Sequence, residues 1–187
     1  MKHVTSRRTA VTSLGAGVAG LTVGSLLSSR SALAAMSSGA GVVAGGSLNG
    51  AADAPIQFSA FGSRLRFDDG TEPIVHAAFN WFDPTGAEGE PLTLVLVTVG
   101  NYGPGELENT RVIAGSLSVN GEGEHPFALW LVDNGVVGEA VDSVRLVVGS
   151  GVADLTGTPA PADAEFTFDY EVEGDLTAGD VQLVKLL

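Results

Sequence analysis

A run of oxygen-bearing side chains between residues 133 and 142 is the part of the sequence most similar to a metal site. Asp133 and Asn134 are followed by Gly135, and Glu139 and Asp142 come shortly afterwards. Calcium binds to several carboxylate and carbonyl oxygens of one flexible loop, so the four polar side chains are candidate calcium ligands. Asp-Asn-Gly is also what a tight turn requires without any metal. The sequence favours the turn and keeps calcium as the alternative.

Trp130 is the candidate for contact with a carbohydrate. It stands between Leu129 and Leu131, so in a strand it lies on the face opposite to theirs. An exposed indole ring beside acidic side chains can stack on a sugar ring, whereas packing in a core or an interface is the commoner use of tryptophan. The sequence favours packing and keeps carbohydrate binding as the alternative.

No motif in the sequence identifies an enzyme. There is no cysteine, and beyond the N-terminal region only His76 and His125 could serve as imidazole ligands or bases. Gly149-Ser150-Gly151 is not the G-x-S-x-G elbow of serine hydrolases. Glycoside hydrolysis needs two facing carboxylates, and with 22 acidic residues some pair meets that spacing by chance. We expect a non-catalytic protein, with an exported glycan-active hydrolase as an alternative.

The charge balance excludes one class of partner. The chain has 9 basic and 22 acidic residues, a formal net charge of −13. Binding to nucleic acid requires a basic surface that displaces counterions from the phosphates. An acidic surface favours solubility and attracts cations. We therefore expect no nucleic-acid partner.

Residues 1–35 have the features of a cleavable export signal. They contain no acidic residue, and an apolar, glycine-interrupted run follows Arg7 and Arg8. Ala32-Leu33-Ala34 fits the small-residue cleavage pattern, with cleavage before Ala35 or one residue later. The paired arginines favour the twin-arginine route. We expect an exported protein, in the periplasm, at the cell surface or outside the cell, with no transmembrane segment after cleavage.

The segment 36–51 is rich in glycine, serine and alanine, a composition typical of a linker. Val42, Val43 and Leu48 could form a weak edge strand, and we expect a linker to about residue 40 followed by this strand. Such a strand could pair within its own domain, which we favour, or with a neighbouring copy, which would produce self-association. Residues 52–187 are expected to form one β domain.

From residue 54 onward, apolar and polar residues alternate with the period of β-strands, and Gly, Asn and Asp mark the turns. We count about nine or ten strands and expect an antiparallel β-sandwich of jelly-roll or Ig-like type, with a β-barrel as the alternative. Gly62 is interpreted as a bulge, after which Leu65 and Phe67 continue the inward row. Val75, Phe79 and Trp81 share one face and are predicted to be core.

The chain between residues 110 and 187 resembles a known class of domains. The resemblance lies in turn and strand residues, which are Gly115, Asn120-Gly121, Phe127, Asp133-Asn134-Gly135, Gly138, Val144-Arg145-Leu146 and Leu176 to Leu183. These are similar to the secreted β-domains that follow choice-of-anchor modules in bacterial surface proteins. The resemblance implies a β-sandwich without established activity, with a structural, adhesion or cell-envelope role. Its partners would be cell-surface proteins or glycans.

Overall fold

Eight β-strands form within the residues that the computed structural model describes, which are 36–86, 89–135, 141–152 and 168–186. They are β1 (Met36–Asn49), β2 (Pro55–Phe67), β3 (Ile74–Asp83), β4 (Leu92–Pro104), β5 (Thr110–Val119), β6 (Glu122–Val132), β7 (Ser143–Val148) and β8 (Tyr170–Leu186). A single 3-10 turn, Ala51–Asp53, joins β1 to β2. In these ranges no helix has both the length and the apolar character needed to cross a membrane.

The strands form a closed barrel. Each pairs antiparallel with the next along the chain, and β8 pairs with β1. The all-β antiparallel class is therefore confirmed, and the architecture is the barrel alternative rather than the sandwich that the sequence favoured. The described strands number eight, not nine or ten. Alternation does not separate the two architectures, because a sheet that closes on itself and two stacked sheets both bury one face of every strand.

The closing strand is β1, for which a linker or a weak edge strand was expected. Over Met36–Asn49 it pairs with β2, and over Gly39 to Leu48 it pairs with β8. The linker interpretation is thus wrong, and β1 is not an edge, because it has a neighbour on both sides. Its small residues serve close packing: a Cβ atom at Gly46 would lie 2.1 Å from the carbonyl oxygen of Ala178 on β8.

The barrel interior is filled by side chains from all eight strands. Trp81 is 1% exposed, so its prediction as a core residue is confirmed. Phe79 stacks on Phe127 with ring centroids 5.5 Å apart, which joins β3 to β6 across the interior. Aromatic pairs in this geometry stabilise a core beyond the effect of buried area alone.

Three hydrogen-bonded side chains lie inside the barrel near the end at which β3 ends and β8 begins. The buried carboxylate of Asp83 accepts a hydrogen bond of 2.7 Å from the Tyr170 hydroxyl. Trp81 Nε1 donates to that hydroxyl at 3.2 Å, and Thr85 donates from its backbone and its side chain to Asp83. We name Trp81, Asp83 and Tyr170 the floor group. It supplies partners for polar atoms that would otherwise be buried without any.

Candidate functional site: the basic mouth of the barrel

The inward row of β2 changes from apolar to basic toward one end of the barrel. Gly62 is in regular register with both β1 and β3, so the predicted bulge is absent. Without a bulge the alternation continues, and Arg64 and Arg66 take inward positions. Leu65 and Phe67 lie on the outer face instead, contrary to the expectation.

Gly62 has a packing reason of its own. A Cβ atom at this position would lie 2.6 Å from the ring of Tyr102, which reaches over from β4. The glycine therefore provides space for an aromatic ring. Tyr102 is 1% exposed and closes the interior below the two arginines of β2.

Two further cations face the same end from other strands. Lys185 on β8 pairs with Ala40 on β1, and Ala40 pairs with Arg64 on β2. In a sheet, directly paired residues point to the same face, so Lys185 and Arg64 flank the small side chain of Ala40 inside the barrel. Arg111 projects from β5, which is opposite β1 because three strands lie between them in either direction around the barrel.

These four basic residues line one open cavity of about 680 Å³, which we name the mouth. They are Arg64, Arg66, Arg111 and Lys185, four of the five basic residues that follow residue 35. Over the ranges given above, none has a carboxylate oxygen within 4.0 Å, since both ion pairs found there involve the fifth, Arg145. Glu108 also lines the cavity, so the four basic residues outnumber the acidic residue there. A concave surface with an excess of basic residues favours a positive potential in the cavity.

Arg111 is held in place by main-chain groups rather than by an acid. Its Nη1 atom donates to the carbonyl oxygens of Glu108 at 2.9 Å and of Thr110 at 2.7 Å. These contacts hold the guanidinium group, and within the described residues Arg111 forms no ion pair. A guanidinium group fixed in this way is suited to bind a carboxylate or phosphate oxygen.

Two polar atoms in the mouth, the Tyr102 hydroxyl and Arg64 Nε, are buried and have no hydrogen-bond partner among the residues that the structure describes. Burial raises the pKa of Tyr102 to about 12. Arg111 acts in the opposite direction, although no contact of suitable hydrogen-bonding geometry joins it to the hydroxyl. Tyr102 is therefore protonated at neutral pH. Buried polar atoms without partners are uncommon in folded proteins and point to a missing partner.

Trp130, the predicted carbohydrate contact, lies on the outer face of β6. Its ring packs beside a small buried cluster that includes Ala128 and Val147. The guanidinium carbon of Arg145 lies 5.4 Å from the centre of the ring, and Arg145 is also paired with Glu171 at 2.7 Å. One face of the indole thus carries a cation rather than being free for a sugar, and Trp130 is not part of the mouth.

The predicted calcium ligands lie in the loop between β6 and β7. Asp142 accepts hydrogen bonds from the backbone of Val181 at 2.7 Å and of Asn134 at 2.8 Å. Asp133 accepts from the backbone of Leu183 at 3.1 Å and of Gly135 at 3.0 Å. Glu139 lies outside the described residues. In the part of the chain that is described, no three His, Cys, Asp or Glu residues are arranged to hold a metal.

The carboxylates of Asp133 and Asp142 accept hydrogen bonds from backbone amides of β8. That strand pairs with β7 only as far as Asp175 and with β1 from Leu176 onward. After Asp175 its other edge has no ladder to β7, and the two loop carboxylates accept amide hydrogens there in place of a neighbouring strand. Asp133 and Asp142 therefore hold the C-terminal half of β8 in place through its backbone amides. The Asp-Asn-Gly turn motif does not by itself predict these contacts with β8.

We expect Asp142→Ala to lower the free energy of unfolding by about 2–4 kcal/mol, because two backbone amides lose a charged acceptor and one of them is buried. This effect is larger than that of a typical substitution in an exposed turn. Urea unfolding measures it, with the exposed Asp175→Ala as the matched control, which should change stability by less than about 0.5 kcal/mol. A strong gain in stability on adding calcium would favour the metal hypothesis instead.

The basic residues of the mouth were not predicted as a site from the sequence, although the alternation of residues along β2 could have indicated two of them. In an alternating strand, Arg64 and Arg66 share a face with Phe58 and Ala60 unless a bulge intervenes. Comparison with known proteins adds no further guide to the site, because no protein-family model, no curated protein and no solved structure matches the chain.

Proposed function

We propose that this protein is an exported, non-catalytic β-barrel that binds a small anionic ligand in its mouth. The single observation that carries the proposal is the concentration of unpaired positive charge there. In a chain of formal charge −13, chance placement would pair such residues with some of the many carboxylates. Instead, Arg64, Arg66, Arg111 and Lys185 line one cavity, in which Glu108 is the single acidic lining residue.

Keeping like charges together costs free energy, so a bound anion would relieve their repulsion. Arginine donors match the oxygens of carboxylates, phosphates and sulfates. The Tyr102 hydroxyl adds a neutral donor at the base of the mouth. This combination of cations and neutral donors around a concave surface is what binding sites for organic anions use.

The support for export is in the sequence. Residues 1–35 carry the paired Arg7 and Arg8, and Ala32 and Ala34 mark the cleavage pattern. The twin-arginine route transports folded proteins, and a barrel whose first strand pairs with its last is a fold that requires the whole chain. The non-catalytic role rests on the absence of a recognised catalytic motif from the sequence. A structural or adhesion role at the cell surface would be compatible with ligand binding.

Calorimetric titration of the chain beginning at residue 36 tests the binding function. Phosphate, sulfate, acetate and succinate are titrated at constant ionic strength. We expect binding of at least one of them, and a loss of about tenfold or more in affinity for Arg64→Gln and for Arg111→Gln, because each removes a charge-assisted contact.

The matched control is Arg145→Gln, which changes the net charge by the same amount at a site on the outer face. Its affinity should stay within about twofold of the wild type, because an exposed charge outside the cavity is screened by salt. Equal losses in all three variants would mean that only the net charge matters. That result, or no binding of any anion, would refute the proposal.

A further inference from the structure

We infer that the mouth selects a tetrahedral oxyanion with a charge of about −2, the phosphate group of a small organic monoester, and that the Tyr102 hydroxyl determines this selectivity. The inference rests on the proposed function and names the ligand class of the same site. It follows from the spacing of the cations, from the two buried donors and from the size of the cavity.

The positions of Lys185 and Arg64 indicate where an anion would bind in the mouth, which is between them and over Ala40. Lys185 and Arg64 stand two strands apart in one cross-strand layer, so their backbones are about 9–10 Å from each other. Ala40 lies between them and fills little of that gap. Arg111 faces the gap from the opposite wall. A group over Ala40 would therefore lie between Lys185 and Arg64, in a cavity that Arg111 also lines.

A compact group with charge of about −2 suits this arrangement better than a carboxylate. A monocarboxylate brings one negative charge and two oxygens in one plane, whereas phosphate carries about −1.5 to −2 at neutral pH and presents oxygens in several directions. Arg66 lies next along β2 from Arg64, on the rim side, and adds a fourth positive charge. A single carboxylate would leave most of this charge without compensation.

The base of the mouth supplies two donors aimed at such a group. The Tyr102 hydroxyl and Arg64 Nε are buried and have no hydrogen-bond partner among the described residues. An oxyanion over Ala40 with one oxygen directed toward the interior would accept from both. These buried donors would be paired only when the ligand is present.

The cavity has space for more than the charged group. Its volume of about 680 Å³ is within the range of sites for whole organic ligands. Leu183 and Pro104 contribute apolar surface to its wall. An ester with a small apolar body would fill this part, while its charged group occupies the base.

The test compares wild type with Tyr102→Phe in calorimetric titrations with phosphate, sulfate, phenyl phosphate, acetate and succinate. For the wild type we expect phosphate and sulfate to bind at least about tenfold more tightly than acetate, because charge compensation is greater. Phenyl phosphate should bind more tightly than inorganic phosphate. Tyr102→Phe should weaken phosphate binding by about five- to tenfold, the effect of one lost hydrogen bond to a charged group.

Thermal unfolding separates a ligand contact from a structural role. Without ligand, Tyr102→Phe should be as stable as the wild type or more stable, because it removes a buried hydroxyl that has no partner. The matched control is Tyr170→Phe in the floor group, where the hydroxyl is hydrogen-bonded. It should lower the melting temperature and leave phosphate affinity unchanged.

Each result decides the inference. Unchanged phosphate affinity in Tyr102→Phe overturns the role of the hydroxyl. Succinate or acetate binding as tightly as phosphate overturns the tetrahedral ligand, while the proposed function stands because an anion still binds. If the wild type binds none of these anions, both the inference and the proposed function are wrong. Tight binding of inorganic phosphate without binding of phenyl phosphate would overturn the ester as the ligand.

Discussion

Deletion of residues 36–50 should abolish folding of the barrel. The deletion removes β1, which pairs with β2 along its length and with β8 along most of it. It leaves the facing edges of both neighbours without partners and opens the interior to water, since Val42, Ala44 and Leu48 are all buried. Far-ultraviolet circular dichroism and urea unfolding measure the outcome, and we expect no cooperative transition.

The control for this deletion is the chain that begins at residue 36, which should unfold cooperatively. The contrast separates the loss of β1 from the loss of the segment before it. A cooperative, monomeric deletion variant with only slightly reduced stability would contradict the closed barrel. That outcome would mean that Met36–Asn49 is only an edge strand, as the sequence suggested.

Asp83→Ala should lower the free energy of unfolding by about 3–5 kcal/mol. The substitution removes the acceptor of the Tyr170 hydroxyl and of both donors of Thr85, and it leaves a small cavity beside Trp81. Buried donors that lose a charged partner account for most of this cost, and the cavity adds to it. Urea unfolding at neutral pH measures the loss. The exposed Asp175→Ala should change stability by less than about 0.5 kcal/mol.

The same carboxylate should contribute to acid unfolding. Burial acts to raise the pKa of Asp83, but hydrogen bonds from Thr85, Tyr170 and Gly86 outweigh it, so the pKa lies below the ordinary value of 3.8. A lowered pKa in the folded state gives stability that is present above pH 3.8 and is lost as pH falls through the folded-state pKa. Asp83→Asn should therefore lose less stability than wild type between about pH 4 and about pH 2. If the free energy of unfolding of wild type and of Asp83→Asn fell equally over this pH range, Asp83 would not contribute to acid unfolding.

Much of the fold was predictable because alternation and turn residues act locally. The strand that contains Phe79 and Trp81 has the predicted inward face. Barrel closure was not predictable in this way, because it depends on contacts far apart in sequence, such as the Ser47 and Thr177 hydroxyls, 3.1 Å apart and 130 residues apart along the chain. β1 looked like a linker because its small residues, which permit close strand packing, also dominate flexible segments.

The site was missed for a related reason. The sequence-based prediction placed a bulge at Gly62. Such a bulge would turn Leu65 and Phe67 into the core, as hydrophobic burial favours, and would place Arg64 and Arg66 in solvent. The structure keeps the regular register, because the space at Gly62 is filled by the ring of Tyr102. Burial rules describe the core correctly and fail at the mouth, where basic side chains take inward positions, an exception that the proposed anion site would explain.

A crystal structure of the chain from residue 36, grown with selenate, tests the central claim most directly. Selenate has the shape and charge of sulfate, and selenium gives an anomalous signal that locates it. The account predicts an anomalous peak in the mouth, over Ala40 and between Lys185 and Arg64, within hydrogen-bonding distance of the Tyr102 hydroxyl. A mouth without a peak, with Arg64 and Lys185 turned outward onto surface carboxylates, would contradict it.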